Sequence, residues 1–198
     1  MLLNSISFLP LLYCLAFGAG GGSAVQQKTE CGERIERSLV SATAHHKRLV
    51  VKFGASWCAG CHELERFLLS KPFQDSMGRY YDVLCIDYGE DIIQKESPDY
   101  FAKHKHLEVP GARTWLKRHG LKENMPEIAI LDEQGKAVVC YEHPYQGAQS
   151  WERFYYPPDR EADVSVALKF FADGNPAMNK KDLQNLQRDI TQKLRRHR

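Results

Sequence analysis

The chain has 198 residues, 43% of them hydrophobic and 26% charged, a composition that supports one packed core and excludes disordered and collagen-like classes. Its 27 basic and 25 acidic residues are spread along the chain and leave a formal charge of +2, so no basic field points to nucleic acid as a partner.

Residues Met1 to Ala24 begin with an apolar run through Phe17 and end in small residues at Gly22-Ser23-Ala24. Short apolar length and a small-residue end predict a secretory signal cleaved after Ala24, with positive charge supplied by the amino terminus alone. Tyr13 before Cys14 does not suit lipid attachment. Residues 25–198 are then expected to form a single exported domain, periplasmic or secreted, with no stable membrane insertion after cleavage.

From Cys31 to His46, Ile35, Leu39 and Val40 recur among charges at helical spacing. Leu49 to Phe53 is a β-rich run ended by Gly54, and His62 to Leu69 returns to helical spacing. Pro72 and Phe73 are expected to close that segment, a short helix to follow, and Tyr81 to Asp87 to form a second buried strand in a βαβ unit. Residues 88–124 read as a helical insertion, with pieces near Pro98–His106 and Arg113–His119 separated by Pro110-Gly111. Ile128–Leu131 and Ala137–Tyr141 flank a Gly-containing turn and predict a hairpin. Two helices, Glu161–Ala172 and Lys181–His197, complete the chain after Tyr155-Tyr156-Pro157-Pro158.

Six cysteines occur, and loss of Cys14 with the leader leaves Cys31, Cys58, Cys61, Cys85 and Cys140. Cys58 and Cys61 stand two residues apart, a spacing one helical turn brings within disulfide reach. Cys58 at the start of a helix would face unpaired backbone N–H groups that favour its thiolate, so it is expected to attack. Cys61, one turn deeper, would resolve the mixed disulfide. Trp57 would shield one side of the sulfur, and Pro126 before the hairpin strand is a candidate cis residue beside the cysteines. Cys85 in Val83–Ile86 reads as a core hydrophobe, and Cys31 with Cys140 as a conceivable structural bridge.

The run Val50-Val51-Lys52-Phe53-Gly54-Ala55-Ser56-Trp57-Cys58-Ala59-Gly60-Cys61 resembles the active-site strand and turn of the thioredoxin family. That resemblance implies an α/β thioredoxin fold: a central mixed sheet flanked by helices, a helical insertion before the cis-Pro strand and extra C-terminal helices. It also implies thiol-disulfide oxidoreductase activity with Cys58 and Cys61 as the redox pair, and a reductase direction. No cofactor is implied. Met125 and Pro126 are expected with Trp57 at the substrate-binding face, and the partners are protein thiols or disulfides plus an upstream electron donor or acceptor. Glu63 and Glu65, together with the leader, look most like bacterial periplasmic members.

Lys52 stands where many thioredoxins carry a buried aspartate. A buried ammonium near Cys61 would favour its thiolate, whereas a lysine at a strand edge would snorkel to solvent. His62 is read as an exposed first-turn residue able to influence the neighbouring thiol.

Cys58-Ala59-Gly60-Cys61-His62 also fits covalent haem attachment with His62 as axial ligand. A redox-inactive binding module and a zinc site drawing on His104 or His106 are further alternatives. Trp151, Phe154, Tyr155 and Tyr156 read as packing rather than a partner patch, and the basic tail Lys193–Arg198 as the ordinary complement of a helix dipole.

Overall fold

A computed structural model describes residues 29–140 and 161–196. The leader, the aromatic cluster at 151–156, Tyr141 and the last two tail residues lie outside these.

Thr29 caps the first helix, α1 (Glu30–Ala44), by accepting the Gly32 N–H at 3.3 Å. The chain then forms β1 (Arg48–Gly54), α2 (Ala59–Leu68), α3 (Lys71–Met77) and β2 (Tyr81–Asp87). Pro72 falls in the first turn of α3 instead of closing the preceding segment, because a first-turn residue needs no N–H and Ser70 caps the turn. The 88–124 segment contains a 3₁₀ turn (Glu90–Gln94), α4 (Pro98–His104), a second 3₁₀ turn (Lys105–Leu107) and α5 (Ala112–Arg118). Strands β3 (Glu127–Leu131) and β4 (Ala137–Cys140) follow, and helices α6 (Glu161–Gly174) and α7 (Lys180–Arg196) end the described chain.

The sheet order is β2-β1-β3-β4, with β1 parallel to β2 and antiparallel to β3, which in turn pairs antiparallel with β4. Asp132 closes the β3–β4 turn by accepting the Gln134 and Lys136 N–H groups at 3.0 and 2.9 Å, while Gly135 takes the left-handed conformation at φ 77°.

β1 is an interior strand, and side-chain alternation divides its residues between two cores. Leu49, Val51 and Phe53 face α1 and α5, joined by Ala129 and Leu131 of β3. Val50 faces α2, α3, α6 and α7, joined by Ile128 and Ile130. Polar ties fasten the C-terminal helices to that second face: the Tyr81 hydroxyl donates to the Phe171 carbonyl at 2.5 Å, and Asp182 accepts from Tyr80 at 2.7 Å and from Arg79. The result is the α/β thioredoxin-like architecture, with the helical insertion before β3 and the added C-terminal helices.

The Cys31–Cys140 bridge does not form. Cys31 is a buried free thiol in the first turn of α1, where its N–H bonds the Pro110 carbonyl at 3.1 Å, whereas Cys140 ends the edge strand opposite Ala129. Burial pushes the Cys31 thiol up to about 12, and likewise the half-buried Cys85. Cys85 is only partly buried and belongs to none of the core clusters, because β2 is an edge strand, which corrects the core reading of this cysteine.

Candidate active site

β1 ends at Gly54 and the chain turns through Ala55–Cys58 into α2, bringing two sulfurs to the C-terminal end of the central strand. Cys58 is the N-cap of α2 and Cys61 lies in its first turn; the two are joined in a disulfide with their Cα atoms 5.2 Å apart. The Cys61 N–H points at Cys58 Sγ from 3.2 Å. A helix start has N–H groups that lack carbonyl partners, so a negative sulfur at that point gains a donor and the positive end of the helix dipole. Cys58 retains 9% exposure and Cys61 none, which makes Cys58 the outer sulfur.

Gly54 leaves room for the inner sulfur. A Cβ there would stand 2.7 Å from Cys61 Cβ, 3.0 Å from its Sγ and 2.9 Å from Lys52 Cε. The same geometry puts the Lys52 side chain beside Cys61. Lys52 is 1% exposed and its ammonium donates to Glu65 Oε2 of α2 at 2.8 Å. The snorkelling alternative is thereby corrected, because β1 is not an edge strand and the buried lysine meets a counter-charge from the partly exposed Glu65 of α2. Asp87 closes β2 nearby, its carboxyl raised by burial against the opposing pull of Lys52.

Trp57 and Met125 pack against the cluster of Ala55, Cys58 and Cys61. The Met125–Pro126 peptide is cis, and Pro126 Cδ lies 4.0 Å from the position of a Cβ on Gly60, between the two cysteines. The structure therefore collects Cys58, Cys61, Trp57, Met125, Pro126 and Lys52 around one disulfide. His62 is exposed and turns back so that its Nε2 lies 2.7 Å from the Ser56 carbonyl.

Two residues of this neighbourhood, Glu90 and Tyr100, carry no signal in the sequence, and Ser56 is marked there only as part of the run that resembles the family. Glu90 is fully buried and accepts both the Ser56 N–H and the Ser56 hydroxyl. It follows Gly89 in a segment that lacks a clear strand or helix pattern, so nothing in its local periodicity marks it as inward-facing.

The model of the thioredoxin-like domain matches residues 35–154, more than half the chain. The chain belongs to the thioredoxin-like family. Similar solved structures include a disulphide isomerase from Xylella fastidiosa, at 18% identity over 59% of this chain and 77% of that one, TM-score 0.37. An exposed lipoprotein thioredoxin from Streptococcus pneumoniae is 23% identical over 55% of this chain and 82% of that one, TM-score 0.35. A thioredoxin-fold protein from Helicobacter pylori is 12% identical over 77% of this chain and 87% of that one, TM-score 0.37. No curated protein matches the chain significantly.

Within this thioredoxin-like frame the haem alternative is not favoured: the two sulfurs bond each other and His62 Nε2 is engaged by a carbonyl. His104 Nδ1 is likewise held 2.8 Å from the Tyr100 carbonyl, and among the described residues no three His, Cys, Asp or Glu side chains gather as a metal set. No helix among the described residues is long and apolar enough to cross a membrane.

Proposed function

We propose that this protein is an exported thiol-disulfide oxidoreductase that reduces disulfides of protein substrates through Cys58 and Cys61. The observation that carries the oxidoreductase reading is the seat of Cys58, whose sulfur caps α2, accepts the Cys61 N–H at 3.2 Å and remains the more exposed of the pair, while the reducing direction rests on the family resemblance. A thiolate there is stabilised before any substrate arrives.

In the reducing direction the Cys58 thiolate attacks one sulfur of a substrate disulfide. A Cys58–substrate disulfide forms, the substrate S–S bond breaks, and the departing substrate thiolate takes up a proton. Cys61 then loses its proton and attacks Cys58 Sγ, expelling the second substrate thiolate and leaving the Cys58–Cys61 disulfide. That thiolate also takes up a proton, so two electrons have passed from the pair to the substrate with one proton from Cys61 and one from solvent, and a dithiol donor restores the pair as it becomes a disulfide itself.

Trp57, Met125 and Pro126 form the face on which the substrate chain lies beside Cys58. Lys52, placed against Cys61 and paired with Glu65, lowers the cost of charge on the inner sulfur. His62 supports the turn and influences Cys58 when protonated. Residues 1–24 serve as the export signal, and protein thiols outside the cytoplasm are the partners.

Cys61→Ser tests the order of attack. The variant keeps the outer nucleophile and lacks the resolving one, so it accumulates mixed disulfides that a reductant releases, visible as gel shifts of the purified protein with a disulfide substrate. Equal trapping by Cys58→Ser would overturn the assignment.

A further inference from the structure

We infer that Glu90 is a positioning residue for the Cys58–Cys61 pair: its buried carboxylate grips Ser56 and biases the exchange equilibrium toward the disulfide. This inference rests on the oxidoreductase reading above.

Glu90 opens the first 3₁₀ turn of the helical insertion and is 0% exposed. Its Oε1 accepts the Ser56 N–H at 2.7 Å and its Oε2 accepts the Ser56 hydroxyl at 2.9 Å. The Ser56 hydroxyl also lies 3.2 Å from the Tyr100 hydroxyl of α4, and the Ser56 carbonyl lies 2.7 Å from His62 Nε2. Every polar group of Ser56 is therefore held, and next to it the Trp57 indole N–H donates to the Gly89 carbonyl at 3.2 Å. The insertion grasps the turn that delivers Cys58, two residues further on.

A buried carboxylate is costly unless it is well bonded, and both partners here are neutral. Among the described residues no Lys or Arg forms an ion pair with Glu90. Charged and titratable groups nearby are Asp91, next in the chain and paired with Arg113, whose guanidinium lies 3.5 Å from the position of a Cβ on Gly89, together with Asp87 at the end of β2, Tyr100 of α4 and, around Asp87, His62, Lys52 and Glu65. The carboxylate therefore has no direct cationic partner of its own among the described residues and is bonded to the turn that leads into Cys58. Two-electron reduction of the disulfide adds a negative sulfur at Cys58, and like charges in a low-dielectric surrounding repel. Glu90 consequently disfavours the reduced form and makes the pair a stronger electron donor, the direction a reductase needs.

The test equilibrates purified protein with reduced and oxidised glutathione, so that two glutathione thiols reduce the protein disulfide and leave as one glutathione disulfide. Glu90→Gln keeps the shape and removes the charge. It is expected to move the equilibrium about tenfold toward the dithiol, about 30 mV less negative. Glu90→Asp keeps the charge and stays within about twofold of the parent even where its melting temperature falls. Ser56→Ala keeps the carboxylate and removes one of its donors, so it moves the equilibrium about threefold the other way, and it serves where Glu90→Gln does not fold. Glu90→Gln, or in its absence Ser56→Ala, equal to the parent would show that Glu90 is only structural and overturn the inference. A parent protein that does not exchange with glutathione at all would instead remove the oxidoreductase reading.

Discussion

Along β1 the two faces of one strand diverge over three positions. Leu49, Val51 and Phe53 are all fully buried against α1 and α5, and Phe53 stacks on Trp115 with ring centroids 5.5 Å apart. The opposite face begins in the same manner with Val50, but then places a buried lysine at 52 and a glycine at 54 under Cys61. A charge and a missing side chain both weaken packing, so their position at the C-terminal end of the strand marks where burial gives way to chemistry. The first face is packed along its whole length, and the second is packed at Val50 and turns toward the disulfide at Lys52 and Gly54.

Leu49→Ala should break the packing face alone. A fully buried leucine truncated in a tight core costs about 2–5 kcal/mol, measured by denaturant unfolding, with the reduction potential unchanged. A variant that also shifts the potential would mean the two faces are not separable.

Lys52→Met should do the reverse. Removing the ammonium beside Cys61 leaves Glu65, whose side chain is 34% exposed and can be hydrated, and withdraws the positive charge that favours the inner thiolate. The exchange constant with glutathione should move about tenfold toward the disulfide, or about 30 mV more negative. An unchanged potential would remove Lys52 from the redox centre.

Buried thiols offer a finer comparison. Cys31 and Cys85 are pushed up to about 12 by burial, so in the folded protein they stay protonated where unfolded thiols ionise. The stability they contribute is complete below the unfolded value, about 8.5, and is lost as pH rises toward the folded one. The loss is roughly 1.4 kcal/mol per thiol one pH unit above the unfolded value. A Cys31→Ala, Cys85→Ala double variant should therefore lose stability less steeply than the parent between pH 7 and about 10 in denaturant titrations. Parallel declines would place these thiols in contact with water.

The packing face was more legible in the sequence than the chemical one. Tyr81–Asp87 forms the strand its apolar run predicts, though as a partly exposed edge strand instead of a buried one, and Asp132 and Gly135 make the expected hairpin turn. Local patterns decide such elements. Pro72 misleads because proline is as comfortable at a helix start as after a helix end. The destination of Lys52 depends on strand order, which placed β1 inside the sheet and made a counter-charge available from α2. Glu90 lies 34 positions beyond Ser56, and no periodic signal links a carboxylate in an irregular segment to a turn that far away. The proximity of Pro126 to the cysteine turn is likewise a tertiary fact, anticipated through family resemblance and visible here in its approach to Gly60.

The most direct measurement is the reduction potential of the Cys58–Cys61 pair in the purified protein, taken by equilibration with glutathione or dithiothreitol. A reversible two-electron couple near the thioredoxin end, about −270 mV, is the expected result; the absence of a reversible couple, or one near the strong-oxidant end at about −120 mV, would contradict a reductase built on these two sulfurs.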